Sequence, residues 1–207
     1  MEGIERTGMQ LLRLPVDHAV VTAGYRNTAY RDRFRFHHYG CDYYDPAEEV
    51  RAPGRGRVLL SGWDSVYGGT VVLRLDMSYI HYTGEVLDLA VRFYHLDHLW
   101  VERGEFVDPG DPLGRLGSSG QITTGPHLHV EISRDADHWN WVPGLAGSST
   151  YFEAGPDRTL NPAWVFTLAP GQTIARQDTV FSSVEDIRLP RQREAGSDGW
   201  HPLPPGV

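Results

Sequence analysis

The sequence predicts an all-β protein, mainly antiparallel sheets joined by long loops. Three observations predict it: short apolar runs that alternate, glycine and proline after nearly every run, and no helical stripe of ten or more residues. Gly54-Arg55-Gly56 and Gly68-Gly69 bracket the first runs. Thr70–Leu75 reads as a strand. Met77–Val86 follows as a long hairpin connection with its tip at Tyr82-Thr83-Gly84-Glu85. Leu87–His95 alternates cleanly, with Leu87, Leu89, Val91 and Phe93 on one face and His95 continuing that face at the strand end. Turns at Asp108-Pro109-Gly110-Asp111-Pro112 and Gly117-Ser118-Ser119-Gly120 lead to a strand at His127–Ile132. A polar, tryptophan-containing insert over 135–156 interrupts the pattern before Thr159–Phe166 closes the domain.

Composition narrows the function classes. The chain has 207 residues, of which 40% are hydrophobic, enough for a substantial core. A formal charge of −8 removes the basic footprint of a nucleic-acid binder, so no nucleic-acid partner is expected. All 19 cationic residues are arginine. The absence of lysine excludes Schiff-base chemistry, a phosphate-loop lysine, and a lipoyl or biotinyl carrier domain, which the turn-rich stretch Gly104–Gly117 would otherwise suggest. The single cysteine, Cys41, forms no disulfide within the chain. No run approaches the roughly 18 apolar residues of a membrane span, and residues 1–8 are polar with no apolar stretch behind them. The expectation is a chain with no membrane span and no signal peptide of its own.

Ten histidines are many for this length, and several fall where geometry can gather them. On a strand through His127-Leu128-His129-Val130-Glu131-Ile132, Leu128, Val130 and Ile132 face a core while His127, His129 and Glu131 share the opposite face. That spacing leaves open whether one histidine or both bind a metal. His38 and Asp42, four apart, would lie about 13 Å apart on an extended strand, too far for an ion with bonds of about 2 Å, so the chain must turn between them at Gly40. His95, in Tyr94-His95-Leu96, is a partly sheltered strand-end imidazole.

In order, His38-x-Gly40-x-Asp42, Arg51–Val58, Tyr94-His95-Leu96, Gly104–Gly117 and Thr124-Gly125-Pro126-His127-Leu128-His129-Val130-Glu131 resemble the lysostaphin/LytM-type zinc peptidases of family M23. The resemblance runs over about residues 15–166, from Gly24-Tyr25-Arg26 to Asn161-Pro162. It implies a LytM/lysostaphin-like fold related to barrel-sandwich hybrids, one Zn2+ per chain held by His38, Asp42 and His129, and catalytic roles for His95 and His127. Three ligands, two imidazoles and a carboxylate, leave a fourth position open, as in catalytic zinc sites. Glu131 is a candidate for orienting a ligand imidazole, and the sequence does not decide whether His95 or His127 is the general base. The implied activity is a zinc metalloendopeptidase cutting peptide bonds in peptidoglycan cross-links or stem peptides. The alternative is a non-hydrolytic relative that binds and activates another cell-wall hydrolase. The partner is then a bacterial peptidoglycan peptide, and the place of action is outside the cell or in its envelope.

Departures from the family pattern are Cys41, the long connection 77–86 and the insert 135–156. The expected organisation is a peptidase domain over 1–170 and, after Ala169-Pro170-Gly171, a C-terminal extension over 171–207 whose last dozen residues are mobile. All motif residues precede Trp164, so the extension is expected to be dispensable for the metal.

Overall fold

The structure is a computed structural model that describes residues 8–145 and 147–192. The last dozen residues, expected to be mobile, lie outside the described residues. Nine strands form the main sheet: β1 (His18–Ala23), β2 (Cys41–Tyr44), β3 (Gly56–Asp64), β4 (Gly68–Tyr79), β5 (Val86–Leu96), β6 (Phe106–Val107), β7 (Leu128–Ser133), β8 (Thr159–Leu160) and β9 (Thr173–Arg176). Their order is β9-β1-β2-β7-β5-β4-β3-β6, with β8 continuing the β2 edge of β7. All these pairings are antiparallel except β9 on β1, so the expected all-β architecture holds.

Alternation explains which face is buried. Leu89, Val91 and Phe93 of β5 and Leu128, Val130 and Ile132 of β7 are fully buried in the main core with Leu12, Leu14, Val50, Leu73, Leu113 and Phe166. The opposite face carries a second, smaller cluster in which Leu60, Val72, Ala90 and Tyr94 meet Val142 and Phe152. These last two come from the insert, so 135–156 roofs part of the sheet's second face. Arg92, fully buried on that face, donates to the Trp139 carbonyl at 2.9 Å and the Trp141 carbonyl at 2.7 Å, fixing the insert to the strand. Asp64 at the β3–β4 turn holds its other end, accepting from Ser149 Oγ at 2.6 Å and the Thr150 N–H at 2.7 Å.

Two short helices interrupt the strands. α1 (Thr28–Phe34) is capped by the Asn27 side chain, which accepts from the Tyr30 N–H, and stops at Arg35 in the left-handed region. α2 (Pro162–Val165) starts on Asn161 with proline in its first turn. Among the described residues no helix is long and apolar enough to cross a membrane.

Residues 172–192 pack onto the same body. β9 adds to the sheet edge with Thr173 opposite His18 and Arg176 opposite Val21. The Gln172 side chain, buried, donates to the Leu14 and Val16 carbonyls at 2.9 and 3.1 Å.

Candidate metal centre

Register builds the site. β7 sits between β2 and β5 with His129 directly opposite Asp42 on one side and Tyr94 on the other, so these three share the face away from the main core. His38 precedes β2, and the turn at Gly40 brings its ring back over the strand. Gly40 is tightly enclosed: a Cβ there would run into the Val130 carbonyl and lie 2.7 Å from His129 Nε2. The chain therefore approaches the imidazole as only glycine permits.

His38 Nε2 lies 3.1 Å from Asp42 Oδ1 and 3.1 Å from His129 Nδ1, and His129 Nδ1 lies 2.8 Å from Asp42 Oδ1. The edge of a tetrahedron built on zinc bonds of about 2 Å is roughly 3.3 Å. Two imidazole nitrogens and a carboxylate oxygen, converging at nearly that spacing, fit the donor set of a zinc ion. This is the only such group of three among the described residues. His38 Nδ1–H donates to the Gly24 carbonyl at 2.9 Å, which fixes the tautomer that leaves Nε2 free.

His95 and His127 stand beside these three. The His127 Nε2 is 3.7 Å from Asp42 Oδ1, and the His95 and His127 rings are 4.9 Å apart. Each spends its Nδ1–H on a backbone carbonyl, His95 on Ser119 at 3.0 Å and His127 on Gly125 at 2.8 Å. Both rings thus turn Nε2 toward the cleft.

The expectation that His95 continues the Phe93 face is corrected. β4 pairs Val71 with Phe93 and Gly69 with Leu96, so two residues of β5, Tyr94 and His95, stand against Thr70 alone. This is a bulge, with His95 at φ 66°. Tyr94 and His95 in consequence both line the cleft, and Leu96 returns to the main core.

Burial and charge act together on the titrating groups. Burial would raise the Asp42 pKa, but the His38 and His127 imidazoles and the hydrogen bonds from His129 and His38 hold it well below the usual carboxylate range. Burial opposes a proton on His38, yet the Asp42 carboxylate outweighs it and the pKa rises. Burial lowers that of His129 against the pull of Asp42. For His95 burial, reinforced by His127 and His129, pushes the pKa down to about 3. Glu131 is raised by burial despite its partner Arg92, which donates to its Oε1 at 2.5 Å. That carboxylate is engaged by the arginine that anchors the insert.

The cleft has a volume of about 450 Å3. Tyr30, Phe34 and Phe36 form an aromatic wall on one side, with Ile122 and Thr123 from the 117–126 loop and Pro143 from the insert also lining it. Sequence reasoning missed this wall; the signal was the aromatic run through Tyr30, Phe34 and Phe36 just ahead of His38. Of the aromatics around the His38-x-Gly40-x-Asp42 motif, Tyr39 lines the cleft, Tyr43 is buried in the main core and Tyr44 is exposed. Trp139 packs on the second cluster and Trp141 stacks on His138 at 3.9 Å. His37 is exposed, and Cys41, between the two candidate ligands, is fully buried with its thiol pKa pushed well up by burial.

Parts of the chain are similar to known proteins. The chain is 34% identical over 104 residues to the peptidoglycan DD-endopeptidase ShyC of Vibrio cholerae, covering 50% of this chain and 22% of that protein. It is 28% identical over 95 residues to lysostaphin of Staphylococcus simulans, covering 45% and 17%. The chain thus spans about a fifth of the length of these curated relatives. Among solved structures, Helicobacter pylori Csd3 superimposes with a TM-score of 0.50 at 23% identity over 77% of this chain and 36% of that one, a likeness of fold. Residues 36–141, just over half of the chain and including both histidine motifs, match Peptidase family M23, and the protein belongs to that family.

Proposed function

We propose that the chain is a zinc metalloendopeptidase that hydrolyses peptide bonds in the cross-links or stem peptides of bacterial peptidoglycan. The observation that carries this reading is the convergence of His38 Nε2, Asp42 Oδ1 and His129 Nδ1 within 3.1 Å of one another, beside two further imidazoles aimed at the same cleft. Peptidoglycan as substrate is supported by the names of the endopeptidase relatives. Action outside the cell or in its envelope follows from that substrate.

His38, Asp42 and His129 would hold the ion. Zinc bound there would supply Lewis acidity, lowering the pKa of a water to about 7 and polarising a carbonyl. His95 and His127, each with Nδ1–H committed to a carbonyl, present Nε2 as a proton acceptor when neutral and a donor when protonated. The pair serves the proton transfers of amide hydrolysis, one proton taken from the attacking water and one given to the leaving amine. The aromatic wall and the insert confine the peptide over these rings and exclude bulk water.

Digestion of purified peptidoglycans of several cross-link types, with mass identification of new termini, tests the reading. The expected result is new amino and carboxyl termini that vanish with chelator and return with zinc. Zinc-loaded protein that binds peptidoglycan without producing termini would sink the enzyme and leave the non-hydrolytic regulator.

A further inference from the structure

We propose that the C-terminal segment 172–189 is a positioning device for the His38 imidazole, acting through Gly24 and Tyr30; the inference rests on the zinc reading above. The segment lies beyond the residues that match the family. After β9 extends the sheet beside β1, the Gln177 N–H donates to the Val21 carbonyl at 2.9 Å, and the chain folds back toward the site. There the Phe181 carbonyl accepts from the Gly24 N–H at 2.8 Å. Gly24 is the residue whose carbonyl receives the His38 Nδ1–H.

The same glycine is held from its other side. The Asp186 carboxylate, buried, accepts from the Ser183 N–H at 2.7 Å and Ser183 Oγ at 2.8 Å, and it sits so close to Gly24 that a Cβ there would run into it. A second path runs through the rings. Tyr30 stacks on His38 with centroids 4.4 Å apart at 27°, and Phe181 meets Tyr30 edge-on at 6.0 Å and Phe34 at 5.9 Å. The carbonyl that sets the His38 tautomer and the ring that fixes its plane therefore both rest on the C-terminal segment. Partners of a ligand imidazole govern its orientation and basicity, and losing one typically weakens metal binding by about 10- to 100-fold.

The test measures zinc affinity of full-length, metal-free protein by competition with a chromophoric chelator, beside the visible absorption of the Co2+-loaded form, which reports ligand geometry. Phe181→Ala and Gly24→Ala are each expected to weaken zinc binding about tenfold or more and to alter the Co2+ spectrum. Asp186→Ala added to Gly24→Ala removes the collision and is expected to bind more tightly than Gly24→Ala alone. Val58→Ala, a buried truncation on β3, provides a variant that loses stability with unchanged affinity. Wild-type affinity and spectrum in Phe181→Ala and Gly24→Ala, or losses no greater than in Val58→Ala, would overturn the inference. Should Gly24→Ala fail to fold, Phe181→Ala decides alone. Wild-type protein that takes no zinc brings down the peptidase reading as well, whereas zinc-binding, active wild type with indifferent variants brings down this inference only.

Discussion

Gly40 has no room for a side chain, because the Val130 carbonyl and the His129 ring occupy the space it would need. Gly40→Ala is expected to push His129 off its position opposite Asp42, lowering zinc content and thermal stability together; metal analysis and melting curves on the purified variant check it. The proposed ligands and proton carriers separate by zinc stoichiometry measured beside turnover. Alanine at His38, Asp42 or His129 removes one of three bonds to the ion, so zinc stoichiometry and turnover are expected to fall together. Alanine at His95 or His127 is expected to leave zinc bound while turnover drops by roughly 10² or more, the scale of losing a positioned acid or base. An empty site in His127→Ala with a filled one in His129→Ala would exchange the two roles on β7.

The strands β5 and β7 carry the site on one face and the core on the other, and a buried ion pair joins them there. Removing Arg92 alone, as in Arg92→Leu, leaves the Glu131 carboxylate buried without its partner and is expected to cost about 3–5 kcal/mol, with much of that recovered in Arg92→Leu/Glu131→Leu. Urea unfolding of the wild type and the two variants measures it. Asp64 fixes the far end of the insert, and the pH at which it does so is predictable. Burial would raise its pKa, but bonds from Ser149 and the Tyr67, Val66 and Thr150 N–H groups hold it below the usual value. Its contribution is therefore present above the unfolded pKa of about 3.9. It is lost as pH falls through the lower folded value. The stability gap between wild type and Asp64→Asn is expected to be constant near neutral pH and to close in acid. The strands on either side of these anchors were legible from alternation alone, since Leu89, Val91, Phe93, Leu128, Val130 and Ile132 all point where period two sends them. The insert's path was not, because what holds it are Arg92 and Asp64, polar residues on other strands whose partners in the insert are, apart from the Ser149 hydroxyl, backbone groups without a sequence signature. The candidate ligands were singled out by the resemblance, since the His127-x-His129 spacing alone leaves open which histidine binds; the face of His95 was not legible, because it depends on one backbone dihedral.

At the scale of the whole molecule, the ion would bind the folded chain and not the unfolded one, so zinc is expected to raise the melting temperature. Free zinc at 100 times its dissociation constant adds about 2.7 kcal/mol, roughly 5–10 °C for a protein of this size, and alanine at His38, Asp42 or His129 is expected to abolish the shift in a calorimetric scan. The bulge on β5 has a consequence of another kind. His95 occupies the left-handed region, which costs a residue with a Cβ about 1–2 kcal/mol and glycine almost nothing. Elsewhere in a strand glycine is worse than alanine; at this position the order is expected to invert, with His95→Gly melting above His95→Ala although both lose the imidazole. Under the proposed role of His95 in proton transfer, the imidazole is kept there against the preference of the backbone, and selection for heat resistance alone would be expected to favour glycine at this position.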